Sequence, residues 1–308
     1  MLTTVWQQMA AVLGSLLMIS CATRRDSEAQ PLIGGESEVV KEITPAVMII
    51  QRRFGQEELA CSGVLIHPQL VLTAAHCVVD GEEGLTPTTG AVLPLTRDLK
   101  VAFGNSIKKK IGAPIPFGAN DIALLEVGQF QNPAFDSRGL ASRGAGDIAL
   151  VRLQTKAPQN HPLALLPNPM RSVAKSLRDN PRFKQPLLVL GYGFTSMQGI
   201  VDTSGTLRSG ELNAWIADNP GEFIARHDGN TTTLCPGDSG GGAFEYDASK
   251  SRSEQKNYVV VGIATQVLTA DECLDTPVKY TDVGFADHIK WIVEQAKNKF
   301  NIDLATKP

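Results

Sequence analysis

Net charge, long apolar runs and cysteine are all scarce in this chain. Lys and Arg number 29 against 32 Asp and Glu, a formal charge of −3, so there is no basic field to attract nucleic acid. The apolar run from Ala10 to Ile19 is too short to span a bilayer. It reads instead as the central part of an export signal covering residues 1–20. Five cysteines are present, none within two to four residues of another, and five histidines are scattered. That pattern offers no zinc site, and neither metal nor other cofactor is expected. An odd cysteine count also means that one of Cys21, Cys61, Cys77, Cys235 and Cys273 differs in task from the rest.

Short β-branched runs separated by turn residues make up much of the rest. Ala46–Ile50, Gly63–Ile66 and Leu70–Thr73 fall in one half; Leu187–Leu190 and Val259–Ile263 fall in the other. This spacing is expected of antiparallel barrels. Near the end Ile289, Ile292, Val293, Ala296 and Phe300 repeat at helical spacing, which predicts an amphipathic helix from His288 onward. Length and Gly and Pro content suit one unit with no second domain, preceded by a polar tether or propeptide at 21–31.

Two strings carry chemistry. Cys235-Pro236-Gly237-Asp238-Ser239-Gly240-Gly241-Gly242 sets a serine between glycines after an acid, and Thr73-Ala74-Ala75-His76-Cys77 supplies an imidazole. An unaided serine is a poor nucleophile at neutral pH. Acyl transfer by serine needs a base to take its proton and aligned N–H donors to hold the oxyanion.

In sequence the chain resembles the trypsin/chymotrypsin family of serine endopeptidases from about Leu32 to the C-terminal helix. The resemblance rests on those two strings, on Leu32-Ile33-Gly34-Gly35, on Gly146–Leu153, and on Leu190-Gly191-Tyr192-Gly193-Phe194, where Tyr192 stands for the family's Trp. It implies an all-β fold of two packed six-stranded antiparallel barrels with a C-terminal α-helix, filling 32–308. It further implies Ser239 as nucleophile, His76 as general base, and the N–H groups of Gly237 and Ser239 as oxyanion hole. The order His before Ser excludes an α/β-hydrolase.

The orienting acid has two candidates. Asp121-Ile122-Ala123-Leu124 stands at the family's usual interval from His76, and Asp147-Ile148-Ala149-Leu150 at the usual interval from Ser239. The neighbouring segments 132–135 and 162–167 favour Asp147.

The resemblance also implies that Asp238 receives the α-ammonium of Leu32 once a propeptide is cut, although Pro31 precedes it where the family has Lys or Arg. It implies bridges Cys61–Cys77 and Cys235–Cys273. Cys21 is left over, and Met18-Ile19-Ser20-Cys21 resembles a bacterial lipobox, so Cys21 is the expected lipid-bearing residue. By alignment Thr233 lies at the base of the substrate pocket, with Val267 and Val278 on its walls. This filling resembles elastase-like members and implies a small apolar side chain before the scissile bond.

The expectation is a monomeric exported serine endopeptidase, secreted or held at a bacterial cell envelope by its lipid, acting on proteins or peptides. A non-catalytic binding module on the same fold is the alternative.

Overall fold

A computed structural model describes residues 44–53, 56–78, 99–105, 119–124, 146–168, 171–180, 182–193, 205–217, 220–226, 234–245, 257–267 and 277–304. At 51–53, 56–60, 119–124 and 267 it describes the backbone alone. The expected signal, tether and lipidation residues, including Cys21, lie outside these ranges, as do the expected mature N-terminus Leu32, Thr233 and Cys273.

Among the described residues, twelve strands fall into two sets of six, as the resemblance implied. The first set comprises β1 (Ala46–Arg53), β2 (Gln56–His67), β3 (Leu70–Thr73), β4 (Lys100–Ala102), β5 (Ala119–Leu124) and β6 (Ala149–Leu153). It forms one antiparallel sheet in the order β4-β1-β2-β3-β6-β5. Hairpin pairing sets the register: Ala46 opposes Val64 across β1 and β2, and Val64 opposes Leu72 across β2 and β3. Thr73, three residues before His76, opposes Ala149, two residues after Asp147. This pairing brings two sequence-distant segments to one end of the sheet.

The second set closes on itself in the order β10-β11-β12-β9-β8-β7. Its strands are β7 (Gln185–Gly191), β8 (Arg208–Ala217), β9 (Glu222–Arg226), β10 (Gly242–Glu245), β11 (Val260–Val267) and β12 (Val278–Asp282). Closure comes from β10 and β7, where Ala243 opposes Val189. A closed barrel leaves no edge strand to pair with another chain.

Strand β7 explains why its sequence is apolar without alternation. Leu187 and Val189 pack in the second barrel's interior, while Leu188 and Leu190 join the cluster built on the first sheet. Both faces of the strand are thus covered. Phe244, Val260 and Ile263 do the same from β10 and β11. The site lies along this shared apolar seam.

Among the described residues, two α-helices complete the fold. Helix α1 (Val173–Asp179) was not foreseen in the sequence. Its N-cap Ser172 accepts from Lys175 N at 3.0 Å. The Asp282 carboxylate also accepts from Ser172 Oγ at 2.7 Å and from Ala174 N at 2.8 Å. An acid there satisfies free N–H groups and complements the helix dipole. Helix α2 (Ala286–Phe300) buries Ile289, Trp291, Ile292, Ala296 and Phe300 against the first sheet's cluster and ends at Asn301 in the left-handed conformation, φ 55°. Its start is two residues earlier than the apolar spacing indicated.

Candidate active site

His76 sits in a single 3₁₀ turn, Ala75–Cys77, that follows β3 directly. Asp147 immediately precedes the Ile148 that leads into β6, and its carboxylate meets the histidine at two places. Oδ2 lies 2.7 Å from His76 Nδ1, and Oδ1 accepts from the His76 backbone N–H at 2.9 Å. Accepting at Nδ1 puts the ring proton there and leaves Nε2 as the basic nitrogen. Thr281 Oγ1 donates to the Asp147 carbonyl at 3.3 Å, tying this segment to β12. Asp147 is buried and His76 half-buried. The Asp147 carboxylate contacts His76, and the backbone of Asp121 stands within β5 in register with Arg152.

The serine loop runs Leu234–Gly241 between the sheets. Ser62 N–H in β2 donates to the Ser239 carbonyl at 2.8 Å. Gly240, φ +80°, presses against the strand leading to His76: a Cβ there would lie 2.1 Å from Thr73 Oγ1 and 2.3 Å from the Ser62 carbonyl. Only a residue without a side chain fits. Gly237, φ +96°, likewise abuts Gly193 Cα, 2.9 Å from the place a Cβ would take. The Asp238 carbonyl accepts from Gly241 N at 2.9 Å, and Asp238 N–H donates to the Cys235 carbonyl at 3.0 Å. Among the described residues, the N–H groups of Gly237 and Ser239 and the Ser239 hydroxyl make no hydrogen bond.

A disulfide joins Cys61 to Cys77, with Cα atoms 6.0 Å apart. Its Cys77 sulfur lies 3.7 Å from His76 Nε2 and 3.6 Å from the Ser239 carbonyl oxygen. A disulfide sulfur carries no proton and no thiolate charge, so these are packing contacts rather than hydrogen bonds or metal ligation. Cys235 is also disulfide-bonded.

Asp238 is fully buried. Oδ1 accepts from Gly193 N at 2.7 Å and Oδ2 from Cys235 N at 3.0 Å. Burial nonetheless pushes its pKa up to about 6, against the pull of those two bonds and of Arg208. The carboxyl lies directly over Gly191, where a Cβ would stand 2.0 Å from Oδ1.

Of the expected pocket residues, Val278 is buried on β12 and stands opposite Val267 of β11. Sequence reasoning missed Ser62 and Thr281. Each is an ordinary strand residue, and no local signal marks either.

A sequence model of the trypsin family matches residues 33–292. Granzyme M of Homo sapiens is 31% identical over 135 residues, covering 43% of this chain and 51% of its own length. The match therefore spans about half of that relative. Phenoloxidase-activating factor 3 of Holotrichia diomphalia is 25% identical over 86% of this chain and 72% of its own length. Serine protease grass of Drosophila melanogaster is 24% identical over 79% of this chain and 62% of its own length. Among solved structures, human heparin binding protein superimposes with a TM-score of 0.57 at 17% identity, over 90% of this chain and 100% of that one. That likeness shows the fold.

Proposed function

The chain belongs to the trypsin family of serine proteases, and on that premise we propose that it is an active endopeptidase using Ser239, His76 and Asp147. The observation that carries this reading is the two-point hold of Asp147 on His76, at 2.7 and 2.9 Å. In this reading Ser239 Oγ attacks the scissile carbonyl carbon as His76 Nε2 takes its proton. The developing oxyanion is received by the N–H groups of Gly237 and Ser239. Collapse expels the amine with a proton returned from the imidazolium, and water then hydrolyses the acyl-enzyme by the same relay. Nε2 and Ser239 Oγ share no hydrogen bond in the uncomplexed chain. Such catalytic bonds commonly tighten only when substrate is bound.

The same reading extends outward. Asp238, buried and with a raised pKa, is suited to receive the α-ammonium of Leu32, which would offset the cost of a buried charge. Cys235 pairs with Cys273 and ties the serine loop to the far wall of the pocket. Thr233 offers no carboxylate for a basic side chain. Val267 and Val278, opposed across β11 and β12, narrow the pocket toward Ala or Val. The protein is exported, its Cys21 lipidated after removal of residues 1–20, and it acts as a monomer on proteins or peptides.

The test is labelling by an organophosphonate probe in the wild type and in Ser239→Ala. The wild type should be labelled and should cleave peptides, with the variant folded but inert. A folded wild-type chain beginning at Leu32 that takes no label would overturn the reading and leave a non-catalytic binding module. Intact mass of protein made in an export-competent bacterium checks the anchor: an acyl mass on a chain beginning at Cys21 is expected, and a Cys21→Ser chain should leave the detergent phase.

A further inference from the structure

Ser62 is where β2, bonded at this point to the end of the strand that leads to the histidine, meets the loop that carries the serine. It follows the bridged Cys61 in β2 and is completely buried. Its N–H donates to the Ser239 carbonyl at 2.8 Å, and its carbonyl accepts from Thr73 Oγ1 at 2.8 Å. Those bonds use main-chain atoms that any residue but proline would offer. The hydroxyl adds two more: it donates to the Gly237 carbonyl at 2.9 Å and accepts from Tyr192 N–H at 3.0 Å.

The consequence lies in the peptide planes of the loop. The Gly237–Asp238 unit is held at its carbonyl by Ser62 Oγ and at its N–H by the Cys235 carbonyl. The Asp238–Ser239 unit is held at its carbonyl by Gly241 N–H, and Ser239–Gly240 at both ends by Ser62 N–H and the Ala264 carbonyl. Among the described residues, the N–H of Ser239 and that of Gly237 remain unengaged. Gly237 has no Cβ and a positive φ, so little in its own conformation resists rotation of the plane before it. Fixing its carbonyl fixes one side of that hinge. The hydroxyl's second bond reaches Tyr192, whose neighbour Gly193 holds Asp238 Oδ1 at 2.7 Å. One side chain therefore fastens the loop on both flanks of Asp238.

We propose that Ser62 is a positioning residue: its hydroxyl holds the Gly237 carbonyl so that the amides of Gly237 and Ser239 stay aimed at the developing oxyanion. The proposal rests on the endopeptidase reading above. A donor aimed at charge that appears only in the transition state raises turnover without tightening substrate binding.

Ser62→Ala removes the hydroxyl alone. Thr73→Ser, which removes a buried methyl beside the same contact but keeps the hydroxyl that bonds the Ser62 carbonyl, controls for local destabilisation. In Ser62→Ala, kcat should fall about 10- to 100-fold with KM within about twofold. Affinity for a peptide boronic acid, which mimics the tetrahedral species, should fall by about the same factor as kcat/KM. Hydrogen exchange of the Asp238–Gly241 amides should quicken at least about tenfold in Ser62→Ala and stay near wild type in Thr73→Ser. Ser62→Cys, a weaker donor in the same place, should fall between, and it carries the test if the alanine variant does not fold. Unchanged exchange overturns the proposal, and so does quickened exchange with kcat retained. A wild-type chain that neither labels nor cleaves counts against the proposed function, while the exchange comparison still decides whether Ser62 holds the loop.

Discussion

Asp147 grips His76 through both carboxylate oxygens, Oδ2 on the ring at 2.7 Å and Oδ1 on the backbone N–H at 2.9 Å. The ring bond sets the tautomer; the backbone bond sets where the ring hangs. Asp147→Asn keeps the shape but offers one acceptor where two are needed, and can present a donor to Nδ1. Turnover should fall by on the order of 10⁴, as it does when this acid is lost in chymotrypsin-type enzymes. Asp121→Asn should stay within about tenfold of wild type. Steady-state kinetics on folded variants decides, and the opposite ranking would move the role to Asp121.

Gly191→Ala should be severe for a residue so small. Its new Cβ would fall 2.0 Å from Asp238 Oδ1 and 2.8 Å from Cγ. The buried carboxyl cannot yield without losing Gly193 N–H and Cys235 N–H. A loss of about 1–3 kcal/mol is expected from overpacking alone, with activity reduced beyond what the folded fraction explains. Denaturant melts paired with active-site titration would show it.

Asp282 predicts a pH dependence of known sign. Burial raises its pKa from 3.8 to about 6 despite three hydrogen bonds. A folded-state pKa above the unfolded value means the folded chain holds the extra proton between the two, so this contribution grows as pH falls through about 6. His288 and His161, kept neutral by burial, run the other way below pH 6.5. A difference measurement separates them: the stability cost of Asp282→Asn should be about 1 kcal/mol larger at pH 5 than at pH 7.5. An equal cost at both would show that Asp282 titrates normally.

What could be read before the structure divides along the range of the interactions. Leu70–Thr73 is a strand end to end as its sequence suggested, because four apolar or β-branched residues between turns admit little else. Gln51–Arg53 and Gln56–Glu58 also lie in strands, yet their polar composition hid them; pairing across a hairpin carries them. Helix α1 is short and starts on a carboxylate 110 residues away, a dependence no local pattern can reveal. Asp121 and Asp147 head matching strings whose strands pair with each other, so the strings themselves do not distinguish them; the flanking segments favour Asp147, and its carboxylate is the one seen to contact His76. Ser62 reads as a polar residue in a strand because its two hydroxyl partners lie 130 and 175 residues further on.

Activation gives a further prediction. The active chain should begin at Leu32, whose free ammonium would turn the buried Asp238 from a strained carboxyl with a pKa of about 6 into one side of an ion pair. N-terminal sequencing of active protein checks this. Full activity in a chain that keeps Pro31 would contradict it.

Peptide libraries test the pocket. Val278 is buried opposite Val267, so Ala or Val before the cut should exceed Arg in kcat/KM by at least about tenfold. A profile led by Arg or Lys would place the pocket elsewhere.

Tyr192 closes the second barrel's β7 segment, yet its hydroxyl reaches the Gly104 carbonyl, 2.9 Å away beside β4 of the first sheet. A phenol buried this completely, its pKa driven above the ordinary range by that burial, must find its partner or forfeit the bond. Neither half can satisfy it alone. With the apolar seam that Leu188, Leu190, Phe244, Val260 and Ile263 share with the first sheet, this bond couples the halves: fragments divided in the stretch between β6 and β7 should be poorly folded apart and recover structure on mixing, as complementing pieces of one molecule.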